Sequence, residues 1–248
     1  MDKPETALAL VACNTYAGKE YCLDEWIAAY RALTYKNTSA FMVDNTFTGL
    51  QYFHTLQKKG IKVTHLGPWR DKPMEYTLHR GWELILAEAQ EQDAFWVYSV
   101  EADNIPAPES LEKMIKVASY CNLHLVTHDY PMHASAVEAS GMKGNEFFYT
   151  ELGCMLMSRQ LLERALAEYD EWKYTSRAIF RTNEKYRGGH CRMTRSFEVK
   201  HLDDYDMEFP QFIDPPSEDN VICPTPYVPA TMGTKLPPSL MHEYAVNE

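Results

Sequence analysis

Residues 95–106 read FWVYSVEADNIP, an apolar, aromatic run that stops in Glu101-Ala102-Asp103 and is followed by Pro106 and Pro108. Carboxylates on alternate residues point to the same side of an extended chain, and where a strand breaks into a turn both can face one crevice. Hard oxygen ligands at such a place suit Mg2+ or Mn2+, which takes one or two protein carboxylates and completes its shell with water and substrate phosphate. The same residues equally suit a Pro-containing turn with a solvated Glu101, because Asp103-Asn104 is a turn-forming pair. A second chemical signal is charge. Residues 173–200 carry eight Lys and Arg against two acids, so the rest of the chain stands at −17. This stretch reads as a basic loop, with Gly188-Gly189 as a hinge, and points to a phosphate-bearing partner. An idle, solvated surface loop fits it as well.

Such residues need a frame. ALALVAC (7–13), SAFMVD (39–44), IKVTHLG (61–67), AFWVYSV (94–100) and NLHLVTH (122–128) read as strands. Between them, residues 22–33, 48–60, 74–92 and 110–120 have a helical period, and Gly60 stops the second of these helices. Alternating strands and helices with short connections imply an α/β fold: a mainly parallel sheet with helices on both faces. Ligands of such sheets sit at the carboxyl ends of strands, where Glu101 and Asp103 lie. Residues 210–238 differ, holding eight of the fourteen prolines, and read as an extended C-terminal segment.

Composition narrows the function. A chain of 248 residues with 45% hydrophobic and 12% aromatic content buries a sizeable core. The net charge of −11 argues against a general nucleic-acid binder, which needs surplus cation to neutralise phosphate. Six scattered cysteines without a C-x-x-C pair read as reduced thiols rather than a disulfide frame or zinc site. ALALVAC is too short to span a membrane and lacks a cationic lead, so a cytoplasmic protein without membrane contact is expected.

Read together, the segments resemble glycosyltransferases of the GT-A fold, specifically the family-2-like group. ACNTYAG (12–18) matches the turn after that family's first strand, and FMVDNT matches its second strand, ending in Asp44. HRGWELILAEA matches a helix bearing a basic residue, Arg80. VEADNIPAPESLEKMI matches the acid-x-Asp motif with proline and a following helix. Glu101 stands where the family usually has Asp. The resemblance implies one Rossmann-like GT-A domain over residues 1–209, with a nucleotide-binding half (1–116), an acceptor half (117–209) and the Pro-rich extension 210–248.

In this resemblance Tyr16 stacks on the nucleobase, while Thr15 and Asp44 hydrogen-bond it in a way that favours uracil. Arg80 offsets diphosphate charge, Glu101 reaches the ribose or a metal-bound water, and Asp103 with His201 holds Mn2+ or Mg2+. His190 is the runner-up to His201. The base that deprotonates an acceptor hydroxyl is Asp170 or Glu171, with Glu151 a further choice; a retaining enzyme needs none. Tyr16 also suits a core position, Asp44-Asn45 a turn, and Arg80 a solvated helix surface. The implied reaction is metal-dependent sugar transfer from a nucleotide-sugar, favouring UDP, to an acceptor hydroxyl on a small molecule, glycan, protein or modified DNA. A phage-type transferase acting on hydroxylated DNA bases and a non-catalytic nucleotide- or glycan-binding domain are the alternatives. Nucleotidyl transfer also uses an acid-x-Asp metal site, but NTYAGKE lacks a Gly-rich phosphate loop.

Overall fold

Strand β1 (Ala9–Thr15) is buried almost throughout and turns alternate side chains into two different cores. In this computed structural model the described residues are 6–66, 74–128, 132–133, 153–169, 175–186, 188–193, 199–202 and 207–208. After β1 come a short 3-10 helix (Ala17–Cys22), α1 (Leu23–Ala32), β2 (Thr38–Asp44), α2 (Gln51–Lys58), β3 (Lys62–His65) and α3 (Met74–Glu91). β4 (Trp96–Val100), β5 (Asn104–Pro106), α4 (Ser110–Tyr120), β6 (Leu125–His128) and β7 (Met132–His133) follow. The second half holds β8 (Cys154–Ser158), α5 (Arg159–Ala167), α6 (Thr175–Lys185), β9 (His190–Met193), β10 (Val199–His201) and β11 (Met207–Glu208).

Seven strands form one sheet in the order β3-β2-β1-β4-β8-β6-β9. Every neighbouring pair is parallel except those made by β8, which runs against both β4 and β6. Ala9, Val11 and Cys13 of β1 share one core with Trp26 of α1, Leu56 of α2 and Met114 of α4. Leu10 and Ala12 share the other with Ile85 of α3, Leu162 of α5 and Ile179 of α6. Helices therefore cover both faces, and the expected α/β class with a mainly parallel sheet is the one observed. Gly60, with φ +81°, ends the turn after α2 in a conformation that suits glycine.

The stretch read as a basic loop is not one. Residues 175–185 are helical and 190–193 form an edge strand of the sheet. Ala178, Ile179 and Phe180 bury one side of α6, while Arg181 and Lys185 pair with Glu184 and Glu168. Gly188 and Gly189 form a packed turn rather than a hinge. Asn183 donates its amide to both their carbonyls, at 3.1 and 3.3 Å. A Cβ at Gly189 would lie 2.4 Å from Leu123 Cδ2. The Pro-rich segment 210–248 lies outside the described residues.

Two short ribbons flank the sheet. β5 pairs antiparallel with β10, placing His201 opposite Asn104, and β7 pairs with β11. Among the described residues no helix is long and apolar enough to cross a membrane.

Candidate functional site

The carboxyl end of β4 is fixed from three directions. Trp26 donates its indole N–H to the Val100 carbonyl at 3.4 Å, holding the last residue of the strand. Glu101 N–H then bonds the Gly153 carbonyl beside β8 (3.2 Å), and Asn104 N–H closes a β-turn on the Glu101 carbonyl (3.0 Å). Leu202 N–H donates to the Asp103 carbonyl at 2.9 Å, so the chain just after β10 supports the same turn. The acid-x-Asp segment is thus a turn, as one reading of the sequence has it, and it also presents both carboxylates to a cavity of about 350 Å3. That volume lies in the range of small-ligand clefts.

Beside the two acids, β1 and its following turn contribute Asn14, Tyr16 and Lys19 to the cavity. Across it stand Glu75 and Trp82 of α3, and Thr175 and Ser176 at the start of α6. Tyr16 is half exposed, and its ring lies over Gly18, where an added Cβ would come within 2.3 Å of Cε2. Asp103 is 7% exposed, and its Oδ2 lies 2.5 Å from the Lys19 ammonium. The field of the two acids reaches their neighbours. Burial first, then Glu101 and Asp103, hold the Cys13 thiol well above its usual range. The Cys22 thiol is pushed up to about 11 by burial and then by Asp103, with Lys19 pulling the other way.

Several polar atoms of this wall lack partners. Both amide atoms of Asn14, and the Thr175 hydroxyl, are buried without a hydrogen bond among the described residues. An unpaired buried polar group costs about 1–3 kcal/mol for as long as it stays without a partner. Gly81 makes the arrangement possible: a Cβ there would lie 1.8 Å from Asn14 Oδ1. α3 approaches the end of β1 this closely only because residue 81 has no side chain.

The cavity gathers Tyr16, Glu101 and Asp103 from the residues singled out in the sequence. Thr15, Asp44 and Arg80 do not line it. Thr15 is 2% exposed, and its hydroxyl shares a 2.9 Å hydrogen bond with the Tyr52 hydroxyl. Asp44 is fully buried: Thr46 donates its N–H (2.9 Å) and hydroxyl to Oδ1, and His65 Nδ1 lies 2.9 Å from Oδ2. Thr46 Oγ1 in turn accepts from Ala17 N–H at 2.9 Å, so Asp44 ties the turn that follows Tyr16 to the end of β2. A carboxylate in that position organises the two loops and leaves no open face for a nucleobase. Arg80 is paired on its own helix with Glu83.

The His201 backbone sits opposite Asn104, one residue from Asp103, while its side chain lies outside the described residues. His190 is instead on β9, with Nε2 2.9 Å from Thr127 Oγ1. Asp170, Glu171 and Glu151 lie outside the described residues. Sequence reasoning overlooked Lys19, Asn14, Glu75, Thr175 and Ser176. Asn14, at the end of β1, and Lys19, in the 3-10 turn after it, flank Tyr16 in sequence, the signal that was available for them; the others reach the cavity only through tertiary packing.

No protein-family model matches the chain, and no curated protein does. Solved structures with similar backbones include a mannosyltransferase from Pyrobaculum calidifontis in complex with GDP-Man and Mn2+. It is 15% identical with a TM-score of 0.44, over 63% of this chain and 46% of that one. S. aureus TarS 1-349 in complex with UDP-GlcNAc is 14% identical with a TM-score of 0.46, over 62% and 46%. A further crystal structure of S. aureus TarS 1-349 is 15% identical with a TM-score of 0.47, over 73% and 55%. The chain thus spans about half the length of these neighbours.

Proposed function

We propose that the protein is a glycosyltransferase that takes its sugar from a nucleotide-sugar, with the diphosphate bound at the Glu101–Asp103 turn. The observation that carries this reading is the juxtaposition, at the carboxyl ends of the central strands β1 and β4, of Asp103, Glu101 and an exposed Tyr16 ring, with the unpartnered Asn14 and Thr175 groups in the same wall. The Tyr16 ring offers a flat apolar surface for a base. Asn14 supplies one donor group and one acceptor, and Thr175 a hydroxyl, to the hydroxylated part of the ligand.

Mg2+ or Mn2+ fits the donor chemistry of the turn. Among the described residues no three His, Cys, Asp or Glu side chains form a metal cluster. These ions, however, are commonly held by one or two protein carboxylates together with substrate phosphates. Asp103 and His201 are the proposed ligands, with Glu101 beside them. When bound, the ion stabilises negative charge on the departing nucleotide. The chain's own residues do the rest: Tyr16 orients the base, Asn14 and Thr175 orient the sugar, and the Trp82 wall excludes water. Asp170 or Glu171 is the proposed base for the acceptor hydroxyl in an inverting reaction. UDP is the proposed nucleotide, and the acceptor is a hydroxyl on a small molecule, glycan, protein or modified DNA base.

Thermal unfolding tests this directly. Wild type and Asp103→Ala are melted with UDP, GDP, CDP or ADP, each with and without Mn2+. A ligand at a hundredfold excess over its Kd stabilises by about 2.7 kcal/mol. In a protein of this size that is a rise of roughly 5–10 °C in Tm. The expected result is a Mn2+-dependent rise with UDP that Asp103→Ala abolishes. Absence of a shift with every nucleotide would sink the reading.

A further inference from the structure

The carboxylate proposed to hold a metal already holds a cation of the protein's own. Lys19 Nζ lies 2.5 Å from Asp103 Oδ2, in a pair whose side chains are only 20% and 10% exposed. The contact bridges residues 84 apart in sequence and joins the turn after β1 to the turn after β4. An ammonium and a divalent ion cannot share that oxygen: within a few ångström their repulsion in a partly desolvated site is large. Lysine is suited to leave, being a compact charge on a flexible four-carbon stem. Among the described residues the cavity wall bears one ammonium, Lys19, against three carboxylates, Glu75, Glu101 and Asp103. A diphosphate arriving alone therefore meets net negative charge, and a lone divalent ion meets an Asp103 that is already neutralised. A diphosphate and an ion arriving together meet neither obstacle.

We propose that Lys19 and a divalent cation are alternative occupants of the Asp103 carboxylate. The cation displaces the ammonium only in company with the diphosphate, whose oxygens then receive Lys19. Lys19 thereby acts as a placeholder for the metal in the empty site, and as a phosphate ligand in the filled one. It makes metal and nucleotide binding mutually dependent. The coupling to nucleotide rests on the glycosyltransferase reading; the competition at Asp103 does not.

The test is a titration of Mn2+ alone, read from the electron paramagnetic resonance signal of the free ion, on the full chain. Wild type, Lys19→Arg, Lys19→Gln and Lys19→Gln/Asp103→Asn are compared, with circular dichroism melts to verify folding. Lys19→Gln should bind Mn2+ about tenfold more tightly than wild type, the least expected when a repelling charge is removed next to the ion. Lys19→Arg should stay as weak as wild type, and the double variant should lose the gain. Wild type carries its own check if Lys19→Gln does not fold: saturating UDP or GDP should tighten Mn2+ binding by about tenfold or more, since affinities coupled through one carboxylate change reciprocally. Equal Mn2+ affinity in folded wild type and folded Lys19→Gln overturns the proposal, as does tight Mn2+ binding by wild type without nucleotide. A gain in Lys19→Gln with no nucleotide effect in any variant upholds the competition and overturns the nucleotide-sugar reading.

Discussion

Replacing Gly81 by alanine pits two terms of similar size against each other. In a helix interior alanine is favoured over glycine by about 1 kcal/mol. Against that, the new Cβ would lie 1.8 Å from Asn14 Oδ1 and 2.8 Å from its Cγ, where ordinary contacts begin near 3.4 Å. Overpacking of this kind costs about 1–3 kcal/mol. Gly81→Ala alone should therefore range from neutral to about 2 kcal/mol destabilising. In an Asn14→Ala background the obstructing amide is gone, and the same change should stabilise by about 1 kcal/mol, worth roughly 2–4 °C in Tm for a chain of this size. The double-mutant cycle, measured by urea unfolding at 25 °C, should give a coupling of about 1–3 kcal/mol. In the single variant Asn14 has to turn away from α3, so ligand-induced stabilisation should fall as well. Equal effects of Gly81→Ala in both backgrounds, within about 0.5 kcal/mol, would refute the packing argument.

Three further outcomes follow from the same geometry. Asp44→Ala removes a buried acceptor from Thr46 and His65 and should destabilise by about 3 kcal/mol in urea unfolding. The milder Asp44→Asn should leave the ranking of nucleotides in the thermal assay unchanged, and a changed ranking would restore Asp44 as a base-reading residue. Tyr98→Phe leaves the buried Ser110 hydroxyl, 3.1 Å from Tyr98 Oη, without that partner and should cost about 1–2 kcal/mol of unfolding free energy. His124 is held below its ordinary pKa by burial and then by Arg164. Its folded form binds fewer protons than its unfolded form, so its contribution to stability falls as pH drops below about 6.5. His124→Gln should flatten that part of the stability–pH curve between pH 7 and 5, and an unchanged slope would exclude it.

What the sequence reveals about this protein is what short segments encode by themselves. The five strands expected from apolar runs are all present, and the helix at 110–120 has the expected ends, because periodicity and stop signals are local. The reversal of β8 is different. Its residues read as an ordinary buried strand, and nothing in CMLMS distinguishes one direction from the other. Direction is decided by the route of the chain before it. The helix at 175–185 was hidden by its charge: the Arg181 and Lys185 side chains are exposed, and its buried side mixes Ile179 and Phe180 with Thr182 and Asn183. At the site, Glu101 and Asp103 were legible because a strand end is a local feature. Asp44 was legible as a strand end too, but residue type alone does not separate an acid that faces a cavity from one that braces two loops. Lys19 and Asp103 were unreadable as a pair, since their contact exists only when β1 and β4 lie side by side.

The ribbon of β5 and β10 separates the integrity of the sheet from that of the site. Asn104 to Pro106 hang on three residues almost a hundred positions later, and Asp103 on Leu202 just beyond them. Neither strand of the ribbon belongs to the seven-stranded sheet. Loosening residues 199–202 would therefore free the acid-bearing turn on one side, at Asp103 and Asn104, and uncover Val199 from the core it helps to close, while its ties to Trp26 and Gly153 remained, a sub-global opening with its own free energy below that of unfolding. The far end of the described chain thus acts as a latch on chemistry encoded near its middle.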